Sequence, residues 1–467
     1  MTGKNNYLLK KTFALIGALI VVVLLGKRLG FNLAQIITLA AFSLSILGTL
    51  LFWQFRLSFA FLGTTIMLFT GVAKLDEFIH HSSMEIILFL IGMMVLVGFL
   101  KEIGLFTWLL QKALIMKKIS AKKFMLALIF ASALLACAID EVSSILFMIM
   151  IILELSDFFE VDPIPFIMTS VLATNIGSAG TVIGNPIGIM IAAKAGLSFE
   201  NFLLFAFPLM VMSLFVLTGL IFIIFRKEIR ELDEKIKEYG PNEILVQLLS
   251  VPTEKRLKIG FVIAGATLLL IAMHHRLELL LGLELNTILL MAPLLSAAII
   301  MVWRRERARS YIENDVEWWT LLFFMFLFGQ AGILANTGVA EVLAQKLLML
   351  VASNQFHLIA TVLFGSGIIS SALDNVVVVA GSIPVIHSLN TMLGTHSVLW
   401  WALLFGACFG GNMTIIGSTA NIVAIGALEK RRGISISFRY WFKIGAVVGL
   451  TTLAFILLAM QLLPYYR

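Results

Sequence analysis

Two acidic dipeptides stand where chemistry would be costly to keep without a use. Asp140-Glu141 interrupts the apolar stretch Phe124–Leu153, and Asp374-Asn375 interrupts Leu358–Leu389. An acidic side chain at the centre of a bilayer costs about 2.5–3.5 kcal/mol on insertion scales. A carboxylate kept at that depth either carries a proton at neutral pH or holds a cation, and both states suit coupling of movement to H⁺ or Na⁺. Neither stretch contains a Lys or Arg that could form a structural ion pair. Asp140, Glu141, Asp374 and Asn375 are therefore the candidate ion- or proton-binding residues. Ser143 in the tip Asp140-Glu141-Val142-Ser143-Ser144 is a candidate substrate-binding residue.

A second polar cluster follows each acid. Gly177-Ser178-Ala179-Gly180-Thr181-Val182-Ile183-Gly184 and Gly410-Gly411-Asn412-Met413-Thr414-Ile415-Ile416-Gly417 both read G-x-x-x-T-x-I-G. The two motifs lie 233 residues apart (410 − 177), and the two aspartates 234 apart (374 − 140). Glycine at this density weakens a helix by about 1 kcal/mol each relative to alanine. Pro186 removes one more backbone donor. A helix broken inside a membrane is tolerated only where it lines a cavity or is buried in protein. Its half-helix N-termini then offer N–H groups to anions, and its freed carbonyls and hydroxyls offer oxygen to cations. Thr174, Asn175, Gly177, Ser178, Thr181 and Asn185 would supply the substrate and ion shell from the first half. Asn412, Thr414, Ser418, Thr419 and Asn421 would supply it from the second.

The elements that must hold these residues are membrane helices. Of the 467 residues 60% are hydrophobic and 13% charged, and the apolar ones come in long runs. A soluble domain would need more polar surface, whereas a bilayer core takes roughly 20 apolar residues per helix. The alternating strands of an outer-membrane barrel are absent from the pattern. The fold class is an all-α polytopic membrane protein with about eleven transmembrane helices and two re-entrant hairpins, arranged as two inverted-topology repeats with broken helices. Residues 1–29 form an N-terminal span. Residues 30–225 form the first repeat, with hairpin 124–153 and broken helix 164–194. Residues 226–258 form a cytoplasmic linker, highly charged with both signs and partly an amphipathic helix. Residues 259–467 form the second repeat, with hairpin 358–389 and broken helix 398–428. Each hairpin is too long for one straight span and fits two half-length limbs. His274-His275-Arg276 is expected to end a span and snorkel at the interface.

Basic residues fix the orientation. Lys4, Lys10 and Lys11, the run Lys112 to Lys123, the 226–258 linker, Arg304–Arg309 and Lys430–Arg432 all fall on one side if both hairpins return to the side they enter from. The positive-inside rule makes that side cytoplasmic, so the N-terminus is inside and the protein sits in the cell (inner) membrane. Lys27 and Arg28 are the main exceptions. They also follow Phe13–Leu25 where a cleavage site would need small residues, so this segment reads as a retained span and not a signal peptide. The formal net charge of +7 is accounted for by these loops, with no nucleic acid required.

At these residues the sequence resembles the ion transporter superfamily, with the arsenite and sodium/proton antiporter permeases and the melanosomal P protein as nearer relatives. Leu373-Asp374-Asn375 is similar to the second-hairpin signature there. Gly406 to Asn421 is similar to its long second-break signature, and Ala173-Thr174-Asn175-Ile176-Gly177 with Gly184-Asn185-Pro186 to the first. The layout is more distantly similar to the divalent-anion/sodium symporters, whose hairpin tips carry Ser-Asn-Thr. This chain has Asp140-Glu141-Val142 and Asp374-Asn375-Val376 instead, which favours a proton- or sodium-binding role. The resemblance covers roughly Leu33 onward. It implies a homodimer and an elevator-like movement of a transport domain.

The expected activity is secondary ion transport of the Na⁺/H⁺-type or proton-coupled antiport class, with a small ion as substrate and Na⁺ or H⁺ as coupling ion. A cation-coupled anion permease for arsenite, a dicarboxylate, citrate or another inorganic anion is the alternative within the class. An ion channel and a membrane metalloenzyme built on Glu77, His80 and His81 are the alternatives outside it. No cofactor and no resident metal are expected, and no phosphate loop for ATP occurs in the sequence. Cys137 and Cys408 lie in apolar segments and read as small packing residues, with soft-metalloid binding as the rival.

Overall fold

The computed structural model describes residues 2–105, 108, 120–239, 255–351, 354–394 and 398–463, without the side chains of residues 2–7, 239 and 255. Lys112, Lys117 and Lys118 of the basic run, and Gly240-Pro241 and Pro252 of the linker, lie outside the described residues.

In chain order the principal helices are α1 (Thr2–Arg28), α2 (Leu33–Leu51), α3 (Arg56–Phe69), α4 (Leu75–His81), α5 (Met84–Glu102), α6 (Ala121–Ala138) and α7 (Glu141–Phe158). Next come α8 (Ile164–Gly177), α9 (Pro186–Ala195), α10 (Phe207–Ile224), α11 (Arg226–Tyr239), α12 (Lys255–Leu281) and α13 (Thr287–Trp303). The chain continues through α14 (Trp318–Asn336), α15 (Val339–Val351), α16 (Gln355–Ala372), α17 (Asn375–Leu393), α18 (Val398–Gly410), α19 (Thr419–Arg432) and α20 (Phe438–Leu462). Ten helical stretches among the described residues are long and apolar enough to cross a membrane. This all-helical, strandless pattern is that of a polytopic α-helical membrane protein.

Both expected helix breaks are present. α8 tightens into a 3₁₀ turn at Ser178–Gly180, leaves helical geometry, and restarts as α9 with Asn185 as cap and Pro186 in the first turn. α18 stops at Gly410, and α19 restarts only at Thr419 behind the cap Ser418. Proline in a first turn costs little, because that N–H would be unpaired anyway.

The hairpin limbs depart from expectation. α6 and α7 have 18 residues each, and α16 and α17 have 18 and 19. At 1.5 Å per residue that is about 27 Å per limb, not half a bilayer. Polar caps and amphipathic ends let the limbs run past the purely apolar core. Ser120, for example, accepts from the Lys123 amide and starts α6 before the apolar run begins. α12 also differs: it passes through His274-His275-Arg276 and ends at Leu281. His274 is buried with Nδ1 against the Ile271 carbonyl, and the exposed Arg276 pairs with Glu200 at 2.8 Å. The linker is helical over α11, and its last residues already belong to α12.

The described chain divides into two compact units, each drawing on both sequence halves. One contains residues 1–88, 317–361 and 376–400, and the other 89–316, 362–375 and 401–467. Within the first, α14 packs on α2, α3 and α4. Small residues allow the approach: Gly329 lies against Phe78 and Gly63 against Ser45 and the Ala41 carbonyl. Gln330 is buried there and donates to the Ala60 carbonyl at 2.8 Å and Thr64 Oγ1 at 3.0 Å. Within the second unit α6 packs along α8, α19 lies on α7 and α8, and α20 lies on α10. All residues of the candidate site belong to this second unit.

Candidate functional site

The site is built where four helices begin. Asp140 caps α7, its Oδ1 accepting from the Ser143 amide at 2.8 Å. Asn185 caps α9 through the Gly188 amide at 2.8 Å, and Ser418 caps α19 through the Ala420 amide at 3.2 Å. Asp374 directly precedes α17. A helix N-terminus carries roughly half a positive charge, which favours carboxylates placed beside it.

The hairpin tips meet each other. Asn375 Nδ2 points at Glu141 Oε1 across a long 3.5 Å. Glu141 is 3% exposed, Asp374 4% and Asn375 1%, while Asp140 is half-buried. The charges of Asp374 and Asp140 both act on Glu141. Thr419 Oγ1 donates to Asp374 Oδ2 at 2.6 Å. Four buried oxygens nearby or on the adjoining turns have no hydrogen-bond partner: Glu141 Oε2, Asn375 Oδ1, Ser144 Oγ and Thr174 Oγ1. Buried polar atoms in folded proteins are nearly always paired, so these open oxygens beside carboxylates mark a candidate place for a proton or a cation.

The breaks are locked to the hairpins and to each other. Thr181 Oγ1 donates to the Cys137 carbonyl, and Thr414 Oγ1 donates to the Ser371 carbonyl. A side chain at Gly177 would run into the Ala133 backbone, and one at Gly410 into the Gly367 backbone. Each of these contacts recurs in the other half at an offset of 233 residues in the break and 234 in the hairpin. Between the halves runs a belt of amides. Asn175 Nδ2 donates to Asn412 Oδ1 and Asn421 Oδ1, both at 2.8 Å, and Ser418 Oγ donates to Asn175 Oδ1 at 3.0 Å. Asn421 Nδ2 donates to the Gly411 and Thr414 carbonyls at 2.8 Å, and Asn412 Nδ2 to the Leu172 carbonyl at 3.4 Å. Asn185 Nδ2 donates to Ser178 Oγ at 2.9 Å and to Cys408 Sγ at 3.1 Å, and Ser178 Oγ donates to the Asn175 carbonyl at 3.1 Å.

All sixteen residues singled out in the sequence thus come together, but in two layers. Asp140, Glu141, Asp374, Asn375, Thr174 and Thr419 carry the acid and open-oxygen character. Asn175, Ser178, Thr181, Asn185, Asn412, Thr414, Ser418 and Asn421 spend their side-chain groups on protein partners and hold the breaks in shape. Gly177 permits close approach, and Ser143 contributes its amide. Sequence reasoning missed Ser144 as an open hydroxyl and Trp441, whose Nε1 donates to the Asn412 carbonyl at 3.1 Å. It also left Cys408 as packing, although Cys408 occupies the place that Asn175 holds 233 residues earlier, a signal present in the repeat itself. No group of three or more His, Cys, Asp or Glu side chains among the described residues is arranged to hold a metal ion. His81 Nε2 lies 3.0 Å from Asn336 Nδ2, and Glu77 pairs with Lys74.

Comparison with known proteins identifies the family of the chain. The CitMHS family profile, described as "Citrate transporter", matches residues 53–406 and again 331–466. An uncharacterized transporter of Mycobacterium tuberculosis is 32% identical over 385 residues, 81% of this chain and 86% of that protein. A Synechocystis uncharacterized transporter is 27% identical over 413 residues, 83% and 88% of the two chains. The P protein of Homo sapiens is 27% identical over 440 residues, 80% of this chain and 52% of its own. With a profile spanning most of its length and transporters matched over about four-fifths of it, the chain belongs to the CitMHS family of membrane transporters.

Proposed function

We propose that the protein is a secondary active ion transporter of the Na⁺/H⁺-type or proton-coupled antiport class, working at the joined tips of the two hairpins. The carrying observation is the pair Glu141–Asn375, each with one buried oxygen that no protein group satisfies, beside Asp374. Two carboxylates this close cannot both stay ionised and dry, so each cycle alternates between protonation and cation binding. No Lys or Arg contacts the acids in any hydrogen bond or ion pair described for Glu141 or Asp140, which favours cationic over anionic cargo. The recurring contacts at a fixed offset support two related, inversely inserted halves, with the broken helices moving against a scaffold in an elevator-like step and a homodimer as the assembly. The basic loops support a cytoplasmic N-terminus.

A cation-coupled anion permease remains the second reading, because four helix N-termini point their positive ends at one place. Purified protein in liposomes with an imposed pH gradient separates the two. Flux would be screened with Na⁺, Li⁺, arsenite, chloride and citrate, and repeated for Asp140→Asn and Asp374→Asn. Cation flux whose pH or Na⁺ dependence disappears in both variants supports the antiport reading. Coupled flux unchanged in both variants sinks the assignment, and anion flux alone moves it to the second reading.

A further inference from the structure

A second binding place lies away from the acids, where a membrane span ends. α10 stops at Ile224, and the charged, amphipathic α11 begins two residues later at Arg226. Between α11 and the start of α6 opens a cleft of about 450 Å³, lined by Ser120, Lys122, Phe222, Arg226, Ile229, Arg230 and Asp233. Its charge is uneven. Asp233 is already engaged, accepting from Lys237 at 2.8 Å and from the Ala121 amide at 3.2 Å, which hold its carboxyl below the usual carboxylate range. Lys122, Arg226 and Arg230 are exposed and make no ion pair or hydrogen bond among the described residues. Glu231 and Glu234 line an adjoining cleft with Arg226, Lys227 and Arg230. The wall is apolar on the span side: Phe222 and the buried Ile229 line it, and in the last turn and the middle of α10 Ile223 and Phe215 are 75% and 62% exposed.

We propose that this cleft binds the phosphate headgroup of an anionic phospholipid, with the acyl chains lying along α10. Guanidinium groups match phosphate oxygens in paired hydrogen bonds, and a lysine adds a point charge. A free phosphate would satisfy the same cations, but it would leave the apolar span-side wall without a use. Basic residues directly beside a span gain attraction from anionic leaflets, about 1 kcal/mol per charge, which is about fivefold in affinity.

The test uses full-length protein in neutral detergent. Native mass spectrometry would count retained lipid after titration with phosphatidylglycerol, phosphatidylcholine or inorganic phosphate, alongside thermal melting. Wild type should retain phosphatidylglycerol over phosphatidylcholine and melt at higher temperature with it. The Arg226→Gln, Arg230→Gln pair should bind it more than tenfold more weakly, and Lys122→Gln about fivefold more weakly. Arg226→Lys with Arg230→Lys should restore most of the binding, and Lys346→Gln, on α15, should change nothing. Equal retention by the glutamine pair and the Lys346 control overturns the site. The same stabilisation from inorganic phosphate alone overturns the lipid and assigns the cleft to a free anion.

Discussion

The two halves of the site share a plan and differ in the side chains that fill it. Position by position, Asp140 matches Asp374, Thr181 matches Thr414, and the close contacts of Gly177 and Gly410 match. Against that background Glu141 stands opposite Asn375, Asn175 opposite Cys408, Asn185 opposite Ser418, and Pro186 opposite Thr419. The matched glycines and threonines close each break onto its own hairpin in both halves. Of the differing residues, Glu141 meets Asn375, Asn185 reaches Cys408 and Ser418 reaches Asn175 across the halves, whereas Thr419 serves Asp374 within its own half. Two Glu residues at the tips would put like charges within hydrogen-bond distance, whereas Glu with Asn gives a donor for the acid. Two Asn residues at 175 and 408 would duplicate a hub that one Asn already fills.

The sharpest way to break the comparison is to erase the tip asymmetry. In Glu141→Gln both tips become amides, and the pH or Na⁺ dependence of liposome flux is expected to vanish while the protein still elutes as folded. Retained dependence would return the coupling role to Asp140 and Asp374. The next largest effect is on stability. Asn175→Ala strands the acceptors of Asn412 and Asn421 and the hydroxyl of Ser418, and is expected to cost about 2–4 kcal/mol in a reversible unfolding assay. Its counterpart Cys408→Ala removes only a small buried group and is expected to cost about 1 kcal/mol. Equal losses would mean the hub is not one-sided.

The matched glycines sharpen the shared part of the plan. Gly177→Ala and Gly410→Ala each push a methyl into helix backbone and are expected to cost about 1–3 kcal/mol, nearly alike. A large difference, read from paired thermal melts, would show that one half tolerates separation of hairpin and break. The smallest effect concerns Thr419. Thr419→Val removes the donor to Asp374 and is expected to cost about 1–2 kcal/mol, with the pH profile of flux displaced but the coupling kept. A profile identical to wild type would mean that Thr419 does not govern the Asp374 carboxylate.

Much of this was legible in the chain. An acid inside a 30-residue apolar run, and glycine, proline and amide residues inside another, have few physical explanations in lipid, so the tips and breaks could be placed to within a few residues. Helix length was read less well. The limbs outrun the hairpins expected from hydropathy because hydropathy marks the apolar core, while Ser120 and the buried ends of α7 extend the helix beyond it. For the same reason hydropathy ends a span at His274–Arg276, whereas the helix runs on to Leu281. The partners of His274 and Arg276, the Ile271 carbonyl and Glu200, are not visible from local pattern. The lipid-facing cleft was foreshadowed only by the mixed charge of the linker.

The sequence alone determined the class of the molecule, the two acids and the two interruptions, because the bilayer penalises charge and unpaired backbone whatever the surrounding fold. Only the tertiary structure decided which polar groups are spent and which remain open. Asn175, Asn412 and Asn421 look as available in sequence as Glu141 and Asn375. Folding consumes the first three in mutual hydrogen bonds and leaves oxygens of the last two unsatisfied, because a hydrogen bond depends on where two distant segments meet and not on what either segment contains.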